Sequence, residues 1–257
     1  MPPDPADRVD SYFVCATPRT GSSLLLGLLE STGVAGRPQA HFRAPDELRW
    51  ADRWQLPRTA EGGFDYADYV RAALAAGRTE NGVFGAKLMW GTLDEVVEKL
   101  GASHPDLAGN EVALLNRAFG RTRFVLLRRD DVLAQAVSWL RAEQTDSWFI
   151  GGNGEIGGNA GNGRAPRFDA DGIRHLIEMI TEHNAAWEAW FASWGIRPHV
   201  VCYEELDADM VDTTRRILDF LGLDAPAGCT IAPRHQRQSD ELNRQWTERY
   251  RAAVADF

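Results

Sequence analysis

Lysine is almost absent from this chain of 257 residues. Lys87 and Lys99 are the two lysines among 28 basic residues, and the other 26 are arginine. A compositional bias of the genome accounts for such an excess, and so does a need for planar guanidinium forks that grip phosphate or sulfate. The formal net charge is −9, which argues against a broad nucleic-acid face and leaves room for a local anion site. Cysteine is scarce as well. Cys15, Cys202 and Cys229 are odd in number and lack metal-ligand spacing, so they form neither a disulfide framework nor a zinc site. Cys15 and Cys202 fall in apolar runs and read as buried small hydrophobes. No stretch approaches the ~18 apolar residues of a membrane span. The opening MPPDPADRVD carries proline and aspartate where a secretory signal is basic and then apolar. These absences lead to the expectation of a cytoplasmic protein, with residues 1–10 flexible.

Several motifs are also missing. A Walker A loop needs G-x-x-x-x-G-K-[ST], but Cys15 and Ala16 stand where its glycine belongs and no lysine precedes Ser22 and Ser23. This opposes a kinase-like ATP enzyme. No G-x-G-x-x-G follows a strand, and there is no G-x-S-x-G elbow. The motifs imply no metal.

What is present is ordinary globular material, 44% hydrophobic and 25% charged. Short apolar runs at 11–16, 83–90, 122–127 and 198–203 read as strands. Helical spacing fills 22–33, 64–77, 93–101, 110–120, 131–144, 168–194, 210–222 and 239–256. Residues 34–63, with Pro38, Pro45, Pro57 and Gly62-Gly63, read as loop. The segment 151–163 holds seven glycines and three asparagines; within 150–167 it is a loop that serves as a lid or is merely a tolerated insertion. Strands separated by helices predict an α/β fold, a central parallel sheet with helices on both faces. With no repeat and no linker, one domain spans 1–257.

Two segments carry chemistry. The first is a strand, the loop Thr17-Pro18-Arg19-Thr20-Gly21, and a helix opened by Ser22-Ser23. Such a loop aims backbone N–H groups and a helix N-terminus at one point, a ready anion site. Thr20, Ser22 and Ser23 add hydroxyl donors and Arg19 adds charge. An ordinary capped turn is the competing reading. The second is the strand TRFVLL followed by Arg128-Arg129-Asp130-Asp131. Arginines leaving the carboxyl end of a strand lie where open parallel sheets bind ligands, unless the turn is only a solvated Arg-Asp pair.

Six stretches together bear a resemblance: TPRTGSSLL, GVAGRPQ, FGAKLMW, RRDDVLAQAVSWLRAEQTDSW, WEAWFASWGIRP with VVCYEEL, and RQSDELNRQWTERYR. In this order they resemble the bacterial sulfotransferase family typified by mycobacterial trehalose 2-sulfotransferase, over about residues 11–252. The resemblance implies a P-loop-like α/β fold, 3′-phosphoadenosine-5′-phosphosulfate (PAPS) as donor, 3′,5′-ADP as product, and a homodimer. The reaction it implies is in-line transfer to a hydroxyl of a sugar, glycolipid or secondary metabolite, in which positioning and charge stabilisation dominate.

On the same resemblance Arg19, Thr20, Gly21, Ser22 and Ser23 form the 5′-phosphosulfate loop, with Arg19 stabilising charge on the departing oxygen. Arg129 and Ser138 match the 3′-phosphate ligands, with Arg128 the rival of Arg129; for Arg129 and Ser138 to converge, Arg129 must precede the helix. Arg237 and Gln238 close the nucleotide site. Lys87, Met89 and Trp90 line the site, and Glu143, Gln144 and Trp148 face the acceptor. The chain departs from the pattern at Ala40, where the type enzyme has the glutamate proposed as its base. His41 is adjacent and titrates in the right range; Asp46, Glu47 and Glu143 are further candidates, and an acceptor as acidic as a phenol needs little help. A non-catalytic module that binds 3′,5′-ADP or PAPS is the alternative reading.

Overall fold

The computed structural model describes residues 9–148, 163–234 and 241–255. Four strands, β1 (Ser11–Ala16), β2 (Phe84–Met89), β3 (Thr122–Arg128) and β4 (His199–Cys202), form one sheet in the order β2-β1-β3-β4. Every pairing is parallel, so each connection must cross over through helices. Between β1 and β2 lie α1 (Ser22–Ser31), α2 (Ala44–Arg53) and α3 (Tyr66–Gly77). Next come α4 (Thr92–Ser103) and α5 (Glu111–Phe119), and then, after β3, α6 (Val132–Thr145) and α7 (Ala170–Ser193). The chain ends in α8 (Tyr203–Ala208), α9 (Met210–Leu221) and α10 (Glu241–Ala255). Among the described residues no helix is long and apolar enough to cross a membrane.

The central strand β1 is buried along its whole length, which is why its sequence is apolar without a gap. Its alternation divides the core. Phe13 and Cys15 join Phe84, Leu88, Phe124, Leu126 and Trp187 on one face. Tyr12, Val14 and Ala16 join Leu25, Leu28, Leu29, Leu127 and Ile217 on the other. A third cluster, with Val137, Leu140, Ile173 and Trp246, binds α6, α7 and α10 together.

The register aligns the carboxyl ends. Ala16 lies opposite Met89 and Leu127, and Arg128 lies opposite Cys202. Gln39 adds a parallel bridge to Ala86, outside β2. The segments leaving β1, β2, β3 and β4 therefore emerge along one edge, where open parallel sheets place their ligands.

Three expectations are corrected. Residues 34–63 are not all loop, because α2 lies within them. Its proline sits in the first turn, where the missing N–H costs nothing, Asp46 and Glu47 favour the helix N-terminus, and Trp50 and Ala51 anchor it in the core. The last strand stops at Cys202, since Tyr203 already begins α8. The long helix starts at Ala170, capped by Asp169 through the N–H of Gly172. Most of the glycine-rich segment, residues 149–162, lies outside the described residues.

Candidate functional site

The loop after β1 is a hydrogen-bonded turn. Arg19 has φ 67° and Gly21 φ 83°, both in the left-handed region that glycine adopts freely and arginine does not. Thr17 and Thr20 are fully buried, and the Thr20 hydroxyl donates to the Thr17 carbonyl at 2.9 Å. From α6 the Gln135 amide donates to Thr17 Oγ1 and to the Pro18 carbonyl, each at 2.7 Å. From α7 Trp187 donates to the Ala16 carbonyl at 3.2 Å. Gly21 is the N-cap of α1 and has no side chain to cap it with. The first turn of a helix aims its amides outward, where an anion can bind.

Three guanidinium groups gather around this turn. Arg19 donates from Nε to Ser138 Oγ at 2.9 Å and from Nη1 to the Trp148 carbonyl. Burial pushes its pKa down to about 10, and the charges of Arg129 and Arg141 push the same way. The group stays charged at neutral pH. Guanidinium groups gathered at one partly buried turn are what the binding of an anion needs.

Of the doubled arginines, Arg129 turns inward. Its side chain is 14% exposed against 47% for Arg128, which pairs outward with Asp130 at 3.8 Å. Arg129 precedes α6, whose N-cap is Asp131, as convergence with Ser138 requires. Its guanidinium lies 4.7 Å above the ring of Tyr203. The same ring lies against Gly21, where an added Cβ would come within 2.5 Å of Tyr203 Cδ2. Tyr203 thus touches both halves of the site. Sequence reasoning had no role for it, although it opens the YEEL stretch directly after β4. Arg141, three residues beyond Ser138 and bonded to Asn243 at 2.7 Å, was missed for the same reason: only the fold puts it beside Arg19.

The expected residues separate into two groups. Arg19, Thr20, Gly21, Ser22, Ser23, Arg129 and Ser138 come together with the Trp148 backbone. Half-buried Lys87 shares the strand level of Val14, its N–H bonded to the Gln39 carbonyl at 3.0 Å, with Ala40 following. Trp90 packs edge-on to Trp187 at 5.1 Å. Glu143 is exposed and accepts from Trp139 Nε1 at 2.7 Å. Gln144 is occupied as a brace, accepting the N–H of Arg167 at 2.7 Å and donating to its carbonyl at 3.0 Å. Arg237 and Gln238 lie outside the described residues.

The expectation for His41 is corrected. Its side chain turns into the core, 2% exposed, 4.8 Å from Trp50, 5.7 Å from Trp54 and 5.9 Å from Phe84 between ring centroids. Burial lowers its pKa to about 4, against a weak opposing bond with the Arg37 backbone. A ring walled in by aromatics and neutral at physiological pH is a core residue, not a base for an entering hydroxyl. Asp46 and Glu47 are likewise engaged. Asp46 pairs with Arg43 at 2.7 Å. Glu47 pairs with Lys99 at 2.6 Å, its pKa raised by burial despite that lysine.

The family model described as "Stf0 sulphotransferase" matches residues 11–253. A trehalose 2-sulfotransferase of Mycobacterium tuberculosis (strain ATCC 35801 / TMC 107 / Erdman) is 33% identical over 268 residues, covering 95% of this chain and 95% of that protein. One of Mycolicibacterium smegmatis is 33% identical over 272 residues, covering 96% of each. Among solved structures, a sulfotransferase from Alicyclobacillus acidocaldarius superposes with a TM-score of 0.48 at 15% identity, over 95% of this chain and 92% of that one.

Proposed function

Since this chain belongs to the Stf0 sulphotransferase family and is a sulfotransferase, we propose that it takes the sulfuryl group of PAPS and passes it in line to a hydroxyl of a small acceptor. The observation that carries this reading is the gathering of Arg19, Arg129 and Arg141 at the turn that opens α1 through Gly21. PAPS supplies an activated sulfuryl group on a phosphate that departs as a stable anion.

The residues fit such a donor. The amides at the start of α1 and the hydroxyls of Thr20, Ser22 and Ser23 bind its 5′ end. Arg19 has its Nε fixed by Ser138, so its charge is aimed before any ligand arrives. Preorganised charge stabilises a departing oxyanion without reorganisation at the moment of reaction. Arg129, held over the Tyr203 ring, binds the 3′-phosphate, and Arg237 and Gln238 close the nucleotide site. No general acid is needed, because the leaving group is already an anion.

The acceptor lies beyond β2, toward Ala40, Lys87 and Trp90, with Trp148 on the α6 side. The relatives are named for trehalose, and a sugar hydroxyl is the acceptor class we assign first. With alanine at position 40 and His41 in the core, the hydroxyl proton leaves without a side-chain carboxylate at that point. The rate then depends on how acidic the acceptor is. The resemblance adds a homodimer, which sedimentation of the purified protein checks.

The test is a thermal-shift titration with 3′,5′-ADP beside 5′-AMP, ADP and ATP, followed by transfer of label from PAPS to sugars and phenols. A ligand at about 100 times Kd stabilises the fold by ~2.7 kcal/mol. A shift with 3′,5′-ADP and label on an acceptor is the expected result. A preference for ATP, or no shift with 3′,5′-ADP, overturns the donor assignment.

A further inference from the structure

Beyond the register pair Arg128 and Cys202, the two strands part. β3 runs into the turn at 129–131 and then α6, while β4 turns at once into α8. The N–H groups of Asp130 and Asp131 lie in that turn, outside β3. Glu204 accepts both. Its Oε2 accepts the Asp130 N–H at 3.1 Å and its Oε1 the Asp131 N–H at 3.2 Å. A carboxylate has two acceptor oxygens and so satisfies two adjacent turn amides at once.

The same carboxylate reaches further. Glu204 Oε1 stands 3.9 Å from Nε of Arg129, a nitrogen that is buried and makes no hydrogen bond among the described residues. The Cys202 thiol donates to Oε2 at 2.9 Å. Burial alone would raise the pKa of Glu204, but the bonds from the thiol and the two backbone amides outweigh it and leave it below the usual carboxylate range. It is ionised at neutral pH. One step back in the chain, Tyr203 lies under the Arg129 guanidinium and against Gly21. Two consecutive residues thus stand against the inner arginine, the Tyr203 ring by its Cζ and the Glu204 carboxylate by its Nε.

We propose that Glu204 is a positioning residue of the donor site, holding the 129–131 turn to β4 and fixing the Arg129 guanidinium for the 3′-phosphate. A negative charge beside Arg129 also offsets part of its repulsion with Arg19, so both cations stay folded inward before the donor binds. This rests on the reading of Arg129 given above.

The experiment measures Kd for 3′,5′-ADP and for 5′-AMP, and KM and kcat for PAPS, in the wild type, Arg129→Ala, Glu204→Ala and the double variant. A purely structural loss weakens both nucleotides alike. The positioning role predicts that Glu204→Ala weakens 3′,5′-ADP roughly 10-fold and 5′-AMP hardly at all. KM for PAPS rises with kcat within about twofold, and the double variant is no weaker than Arg129→Ala. Glu204→Gln, which keeps one acceptor oxygen, falls between and serves if the alanine variant does not fold. If Arg129→Ala lowers the preference for 3′,5′-ADP and neither Glu204 variant does, the inference is overturned and the reading of Arg129 stands. If Arg129→Ala leaves that preference unchanged, the reading of Arg129 fails and the inference falls with it.

Discussion

Arg19 and Ser138 stand 119 residues apart in the chain and are joined by one hydrogen bond of 2.9 Å, from Nε to Oγ. Ser138 lies on a face of α6 that serves the whole turn after β1. Gln135 one turn earlier holds Thr17 and Pro18, and Arg141 one turn later adds, beside Arg129, the second cation felt by Arg19. Residues at spacing three share a helix face, so one helix holds and charges the loop together. The serine expected beside Arg129 is committed to Arg19 in this conformation.

Replacing Arg19 tests that charge. Arg19→Ala is expected to cut turnover by roughly 10²–10³, as for a lost oxyanion donor, in a protein that still folds. Because Arg19 has φ 67°, Arg19→Gly should be more stable than Arg19→Ala by about 1 kcal/mol while equally slow. Label transfer from PAPS and urea unfolding read the two effects, and wild-type turnover by either variant removes Arg19 from the chemistry.

Gly21→Ala should damage binding through geometry. The new Cβ meets the Tyr203 ring at 2.5 Å and the backbone holds φ 83°. The left-handed conformation costs about 1–2 kcal/mol, and the displaced ring disturbs Arg129. A tenfold or greater loss of 3′,5′-ADP affinity is expected by calorimetry, and unchanged affinity would show that the ring contact does not matter.

Arg129→Ala and Arg128→Ala should differ sharply, since one guanidinium is turned in and the other out. Loss of a charged hydrogen bond costs about 1.5–3 kcal/mol, which is roughly 10–10²-fold in the Kd of 3′,5′-ADP for Arg129→Ala. Arg128→Ala should stay within about twofold. Equal effects would contradict the assignment.

His41 should make the fold acid-sensitive. Its pKa is about 4 in the folded protein and about 6.5 when unfolded. Between those values the unfolded chain holds a proton that the folded one lacks, so stability falls as pH drops through the window, by roughly 3 kcal/mol in all. Glu47, raised by burial, acts in the opposite direction. Urea unfolding of the wild type and His41→Phe at pH 7.5, 5.5 and 4.5 isolates the histidine, because Glu47 contributes to both. The variant should lose the slope and keep kcat; a matching slope in both proteins would refute the assignment.

Ala40→Glu should raise kcat with a sugar acceptor by about 10–10² and hardly change it with a phenol. A carboxylate there gives an unacidic hydroxyl an acceptor for its proton, which a phenol does not need. No gain with any sugar would mean that position 40 does not face the acceptor.

Much of this was legible in the residues. The apolar run SYFVCA reads as a strand, and the following TPRTGSS, with glycine and hydroxyls before an apolar helix, reads as a strand-to-helix turn. The parallel sheet follows from strands separated by helices, because parallel neighbours need crossovers. Helix α2 was hidden by prolines, which mark loops and first turns alike, and its fit depended on where Trp50 lands. His41 looked like a base because a pKa near 6.5 is a property of the free side chain.

The sequence by itself determined the four strands, most of the helices between them, the glycine-and-hydroxyl turn after β1 and the arginine pair after β3, since each is a matter of local spacing and backbone preference. Only the tertiary structure decided which of Arg128 and Arg129 turns inward, that Tyr203, Glu204 and Arg141 belong beside them, and that His41 is core. Those outcomes depend on burial and on contacts between residues far apart in the chain. Desolvation and neighbouring charge, which reshape a side chain's chemistry, exist only once the chain has packed.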